Sequence, residues 1–276
     1  MRLENYLNEN NIKDWTGYIN NNKMLKSAVK VLQTINKKGF KCYIVGGCVR
    51  DIVLGIQPHD IDICTNMPMD RISKLYKTHD IGKSKQFGIV VIKQGSYNFE
   101  IAQFRQDGTY KDGRRPDTVK ISSSFKDDAK RRDFQINAMA IDKDGNIIDY
   151  FNGKKDIKNK VLKTVGDPNK RFGEDYLRML RAARFSAKLD FDIEPKTKKA
   201  IKKSSYRIQD LSPERIKDEI MKAASQSGDV FAKYLNTLDE LNLLKYIFPE
   251  IMNLKWFKEN MKHHPETSGY VRRIIE

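Results

Sequence analysis

Apolar residues recur at helical spacing over residues 22–37, where Leu25, Ala28, Val29, Leu32 and Ile35 share one face and Lys37-Lys38-Gly39 supplies the stop. The apolar run Cys42-Tyr43-Ile44-Val45 predicts a strand that enters Gly46-Gly47, and a brief helix from Val49 to Leu54 ends at Gly55. Asp60-Ile61-Asp62-Ile63-Cys64 alternates with period two, as a half-buried strand does. A helix is expected around Asp70–His79, then strands near Phe87–Ile92 and Tyr97–Phe104. The polar stretch Gln106–Asp117 separates these from a strand near Thr118–Ser122. Ser124 and Asp127 have capping-box spacing, which predicts a helix to about Met139. After Ile147–Tyr150 the pattern is almost wholly helical, over about 172–188, 195–205, 213–224 and 229–245. The expected fold class is α+β, with an α+β front, a helical back and a boundary near residue 150.

At 276 residues the chain has room for one large domain or two modest ones. Its hydrophobic fraction of 39% is low, yet Phe, Tyr, Ile, Leu and Val recur throughout, so a core forms and wholesale disorder is excluded. No apolar run approaches the roughly 18 residues of a membrane span, so no membrane partner is expected. The start, MRLENYLNENNIKDW, lacks a signal peptide's apolar stretch. Cys42, Cys48 and Cys64 cannot all pair and match no zinc spacing, which predicts a reduced, cytoplasmic location. Lys and Arg outnumber Asp and Glu by 52 to 36, a net charge of +16 that favours a polyanionic partner.

Asp60 and Asp62, two residues apart on a strand, point to one face, and their repulsion calls for a cation between them. Mg2+ suits such a site, because it takes one or two carboxylates together with substrate phosphates. Gly46-Gly47 lies between a strand and a short helix, with Arg50 and Asp51 one turn in. Glycines let a ligand approach the backbone, and Arg50 reads either as a forked phosphate donor or as half of a surface pair with Asp51. Glu100 opposes Phe99 and Ile101 on its strand and reads either as a third metal carboxylate or as a solvent-facing residue. On the helix expected to follow Ser124, Asp133 and Asn137 stand four apart near a ribose, with Arg132 toward a phosphate; the alternative is a solvated basic face. His59 reads as a loop histidine, and no side-chain base is nominated.

Asp175 and Arg178, three apart on the helix expected over 172–188, offer one acceptor and one forked donor. Cytosine and adenine present an amino donor beside a ring-nitrogen acceptor, whereas uracil and guanine present a carbonyl beside a ring N–H. Such a pair accepts C and A and leaves groups unpaired against U and G. Arg181 and Arg184 continue the arc toward phosphates; the alternative for all four is a set of surface ion pairs.

Taken in order, GGCVRD, DIDICTNMP, FEIAQFR, RRDFQINAMAID and RFGEDYLRMLRAARF resemble the class II, bacterial-type CCA-adding tRNA nucleotidyltransferases of the DNA polymerase β superfamily, whose head is shared with bacterial poly(A) polymerases. The resemblance covers about residues 25–225. It implies a head with a five-stranded mixed sheet over residues 1–150, an all-α neck over 151–222 and a partial helical, RNA-binding body over 223–276. It further implies Asp60 and Asp62 as metal ligands and Gly46, Gly47, Arg50, Arg132, Asp133 and Asn137 as nucleotide-binding residues. Asp175 and Arg178 become the amino-acid template, with Arg181 and Arg184 as its phosphate-side companions. The implied partners are the acceptor-stem 3′ end of tRNA, CTP and ATP, and the implied chemistry is two-metal nucleotidyl transfer with Mg2+. The stretch from Asp107 to Asp117 resembles a flexible loop of full CCA- and A-adding enzymes, so A addition is expected. Ala138-Met139-Ala140 follows Asn137 in place of the Ser-Leu of poly(A) polymerases, which favours tRNA.

Gln135 stands where the family has Thr. The chain stops soon after the body would begin, and Lys262-His263-His264-Pro265-Glu266-Thr267 is similar to the entry to an HD phosphohydrolase domain. A minimal viral-type enzyme, a split system or a shortened chain would each account for this, with tRNA affinity rather than chemistry affected. The competing readings are the A-adding half of a split system, a poly(A) polymerase, a small-molecule adenylyltransferase, and a catalytically silent RNA-binding module.

Overall fold

In this computed structural model, residues 7–8, 11–12, 14–79, 88–110, 113 and 116–254 are described. They fall into two compact units, one within residues 1–109 and 116–159, the other within 110–115 and 160–276.

The first unit begins with strands β1 (Leu7–Asn8) and β2 (Asn11–Ile12) and helices α1 (Trp15–Asn20) and α2 (Lys23–Lys37). Asn22 caps α2 by accepting the Leu25 N–H at 2.9 Å, and the predicted apolar face is buried. Next come β3 (Cys42–Val45), α3 (Gly47–Val53), β4 (Asp62–Thr65), α4 (Met69–Leu75) and β5 (Thr78–His79). β6 (Ile89–Gln94), β7 (Tyr97–Gln103), β8 (Arg105–Asp107), β9 (Val119–Ile121) and α5 (Phe125–Lys130) follow. A 3-10 turn at Gln135–Asn137, β10 (Ala140–Ile141), β11 (Ile147–Ile148) and α6 (Gly153–Lys158) complete it.

A seven-stranded sheet in the order β11-β10-β3-β4-β7-β6-β5 carries this unit. β4 runs parallel to β7, while its other neighbours pair antiparallel, so the sheet is mixed as expected. It has two strands more than the five the resemblance implied, and three of its members, β5, β10 and β11, are two residues each and too short to show as alternation. For the same reason β8 was hidden in the polar stretch, where it pairs with β9. Ile44, Ile63, Ile92, Phe99, Ile101 and Phe104 form the sheet's fully buried centre. Burying a side chain of this kind contributes about 1.5–3 kcal/mol.

In this unit two helix expectations are corrected. The helix from Ser124 ends at Lys130, because Phe134 is extended at φ −120° and buried, and Asp133 accepts the Phe134 N–H at 2.7 Å. A local side chain to backbone bond of this kind competes with the helical ladder. The capping box is also absent: Ser124 caps Lys126 N, while Asp127 accepts from Ser122 Oγ at 2.7 Å instead of from the cap. The helix expected around Asp70–His79 stops at Leu75, and Thr78–His79 is strand.

The second unit contains β12 (Val161–Leu162), α7 (Pro168–Glu174), α8 (Leu177–Leu189), β13 (Asp192–Ile193) and α9 (Pro195–Ser204). A 3-10 segment at Ser205–Asp210, α10 (Pro213–Ala224), α11 (Gly228–Glu240), α12 (Leu244–Ile247) and α13 (Pro249–Leu254) follow. It is helical apart from the parallel pair β12–β13. The helix expected over 172–188 is broken between α7 and α8, where Asp175 is extended at φ −150°. The helix expected over 229–245 ends at Glu240, before Asn242 at φ +61°. Phe87, Lys111, Asp112, Arg114, Arg115 and the segment Lys262–Thr267 lie outside the described residues. Among the described residues, no helix is long and apolar enough to cross a membrane.

Candidate active site

In the first unit, β3 is the strand that gathers the predicted nucleotide-binding residues. It pairs with β4, placing Val45 opposite Asp62, and with β10, placing Val45 opposite Ala140. GGCVRD therefore sits next to DIDIC on one side and to the end of RRDFQIN on the other. Gly46 turns the chain out of β3 at φ +83°, a region costly for any residue with a Cβ. A Cβ there would stand 3.1 Å from Arg132 Nη1 and 3.7 Å from Asp62 Oδ2. Bare backbone, a guanidinium and a carboxylate thus meet at one point.

Asp62 begins β4, with Asp60 just ahead of it. Continuing the Ile63–Ile101 register by one residue brings Asp62 level with Glu100 on β7. Lost hydration and the repulsion of Asp60 and Glu100 push the Asp62 carboxyl up to about 6, against the pull of Arg132. Glu100 is exposed, with Phe99 and Ile101 buried opposite, as the alternation predicts. Among the described residues, no three Asp, Glu, His or Cys side chains converge tightly enough to hold an ion by themselves. His59 is exposed in a bend, consistent with a loop histidine.

Arg50 does pair with Asp51, but at 4% exposure the pair is buried rather than on the surface. Its Nη2 and Nε donate to Asp51 Oδ1 at 2.7 and 2.9 Å, and Nη1 donates to Asn137 Oδ1 at 2.8 Å. Asn137 Nδ2 in turn donates to Asp133 Oδ1 at 3.3 Å. Asp133 and Asn137 are therefore neighbours through a turn rather than through a helix. Arg132 Nη1 donates to Asn137 O at 3.3 Å, and its Nε and Nη2 donate to Asp128 Oδ2 at 3.3 and 3.1 Å. Asp128 is fully buried; burial opposes its ionisation, but Arg132 and Arg131 outweigh that and hold its carboxyl below the usual range. It is the anchor that sequence reasoning missed, and its signal was the i,i+4 spacing to Arg132. Gly47 completes the predicted group, with Arg50 Nη2 3.5 Å from where its Cβ would lie.

In the second unit, Asp175 and Arg178 flank the break between α7 and α8. Asp175 accepts from Arg215 Nη2 at 3.1 and 3.0 Å through its two oxygens, and from Leu177 N at 3.1 Å. Arg178 Nη1 donates to Glu174 Oε2 at 2.8 Å and to Arg171 O at 2.9 Å. The two side chains are thus steadied by Arg215 and Glu174, which the residue pattern did not single out. Arg184 is 9% exposed and donates through Nε to Glu219 Oε2 at 2.7 Å, a buried ion pair rather than a free phosphate ligand. Arg181 is more open, with Nη1 3.9 Å from Glu219 Oε1 and its guanidinium over Phe185.

Two family models match the chain: the poly A polymerase head domain over residues 42–163, and a probable RNA and SrmB-binding site of polymerase A over residues 190–255. A CCA-adding enzyme of Lactobacillus helveticus is 43% identical over 213 residues, covering 76% of this chain and 53% of that protein. The crystal structure of the Bacillus stearothermophilus CCA-adding enzyme in complex with CTP superimposes with a TM-score of 0.69 at 34% identity, covering 79% of this chain and 52% of that one. A tRNA nucleotidyltransferase complexed with a primer tRNA and an incoming ATP analog gives a TM-score of 0.66 at 32% identity, over 84% of this chain and 64% of that one. The chain belongs to this nucleotidyltransferase family, that of the CCA-adding enzymes. It spans about half the length of the curated relatives it matches.

Proposed function

We propose that the chain adds C and A to the 3′ end of tRNA, using CTP and ATP and releasing pyrophosphate. One observation carries this reading: the Gly46 turn, the Arg132 guanidinium and the Asp62 carboxylate meet within 3.1–3.7 Å of a single Cβ position. Bare backbone with a cation suits a triphosphate, and a carboxylate beside them suits a divalent ion bound to that triphosphate.

The donor set fits Mg2+. Asp60 and Asp62 are hard oxygen ligands that repel one another, and among the described residues no third side chain closes a cage with them, which leaves coordination positions for phosphate and water. When bound, the ion supplies a lowered pKa for the primer 3′-hydroxyl and charge neutralisation for departing pyrophosphate. The hydroxyl oxygen forms a bond to the α-phosphorus, the bond to pyrophosphate breaks, and the hydroxyl proton leaves to solvent. Arg132, held by Asp128, presents positive charge to the phosphates; Arg50 holds Asn137 and, through it, Asp133 for the ribose. In the second unit Asp175 and Arg178 read the base, and Arg181 has the exposure to reach a phosphate. The reaction belongs in the cytoplasm, in keeping with three buried free thiols at Cys42, Cys48 and Cys64.

The test is extension with Mg2+ of tRNAs lacking CCA, ending in CC and ending in CCA, each with one nucleoside triphosphate. Two C on the first, one A on the second and nothing on the third support the proposal. Addition of A alone makes the chain an A-adding half; unlimited A addition makes it a poly(A) polymerase. RNA binding without addition returns the silent-module reading.

A further inference from the structure

Asp175 and Arg178 are separated by Tyr176 and Leu177, so whatever fixes the backbone at residue 176 fixes the spacing of the two base-reading groups. The chain changes conformation there, from extended at Asp175 (φ −150°, ψ 109°) to helical at Tyr176 (φ −63°, ψ −24°). Tyr176 is held from both sides by residues outside α7 and α8. Its N–H donates to Gly113 O at 3.2 Å. Its ring lies so close to Gly113 that a Cβ on that glycine would overlap ring carbons, and Gly113 also has φ +64°. From the other side Arg207 Nη2 donates to the Tyr176 hydroxyl at 2.6 Å, with the guanidinium 4.8 Å from the ring centroid. Arg207 is itself anchored through Nε to Asp210 at 2.8 Å. Tyr176 is 9% exposed, and packing alone would accept a phenylalanine; the hydroxyl adds a directional anchor. All of these residues belong to the second unit.

We propose that Tyr176, clamped between Gly113 and Arg207, is a positioning residue for base selection that sets the discrimination of C and A against U and G. This rests on the reading of Asp175 and Arg178 given above. A rigid pair confronted with uracil or guanine leaves its donor and acceptor unpaired, which is the source of rejection. A pair on a loosened turn shifts to relieve the mismatch. Discrimination therefore falls more than affinity for the correct base.

The experiment uses the full chain and two variants, Tyr176→Phe and Gly113→Ala. Equilibrium affinities for CTP and UTP are measured by titration calorimetry, and single-nucleotide extension is read alongside. Wild type prefers CTP. Tyr176→Phe lowers the CTP:UTP ratio about tenfold, the worth of one hydrogen bond from a charged donor, with its melting temperature within about 5 °C of wild type. Gly113→Ala lowers the ratio at least as far. If wild type selects CTP and both folded variants keep its ratio within twofold, the clamp does not set selection and the inference falls alone. If Gly113→Ala fails to fold, Tyr176→Phe decides. If wild type shows no preference for CTP over UTP, the base-reading role of Asp175 and Arg178 fails first and takes the inference with it.

Discussion

Asp60→Asn and Asp62→Asn are each expected to slow nucleotide addition at least about a hundredfold, because each removes a hard ligand from the transfer site. The melting temperature in metal-free buffer at pH 8 should hold or rise, since the repulsion among Asp60, Asp62 and Glu100 is relieved. A fall in both quantities would make these carboxylates structural. Asp128→Asn should behave oppositely. It leaves Arg131 and Arg132 facing a neutral partner in a fully buried position, at a cost of about 3 kcal/mol measured by urea unfolding. The Asp60–Asp62 pair is legible in the chain because the alternation leaves both exposed on either side of buried Ile61, although β4 begins only at Asp62 and Asp60 lies ahead of it. Asp128 is not legible in the same way. An acid in a helix's first turn serves the helix dipole equally well, and only burial shows that it holds Arg132 instead.

At the scale of elements, the turn after β3 governs the site. Gly46→Ala is expected to cost about 1–3 kcal/mol from the left-handed backbone and to raise the KM for CTP and ATP together, since the added methyl meets Arg132. An unchanged KM in a folded variant would detach Gly46 from the phosphates. Helix α2, strand β3 and helix α10 were legible in the periodicity because their apolar faces persist over whole elements. The breaks at Lys130 and Glu174 were not. Asp133 bonds the Phe134 N–H and Asp175 bonds the Leu177 N–H, and a single side chain to backbone bond interrupts a helix without disturbing its apolar spacing. Both breaks fall at candidate site residues, where local geometry serves the side chains rather than the ladder.

Across the whole molecule, buried charge is the feature that couples stability to pH. Glu219 is 1% exposed; burial opposes its ionisation, but Arg184, Arg181 and Lys222 outweigh that and hold its carboxyl below the ordinary value of 4.5. A depressed carboxylate stabilises the fold at every pH above its unfolded value and loses that contribution as pH falls through the lower folded value. Wild-type stability should therefore drop below about pH 4.5. Glu219→Gln should cost about 3 kcal/mol at pH 7 by leaving Arg184 unpaired, and its stability curve should be flatter on the acid side. Urea unfolding at several pH values checks both; a variant as acid-sensitive as wild type would move the effect to another carboxylate.

The amino-acid sequence by itself determined the class of fold, the apolar face of α2, the strand that Asp62 begins and the family to which the chain belongs. These follow from local periodicity and from motifs whose order survives along the chain. The tertiary structure alone decided that β3 lies between β4 and β10, so that Gly46, Asp62 and Arg132 meet. It also decided which cations are already engaged: Arg184 with Glu219, and Arg215 with Asp175. Strand order and ion pairing join residues dozens of positions apart, and their energies depend on burial and on which partner is nearest. Neither quantity exists until the chain has folded.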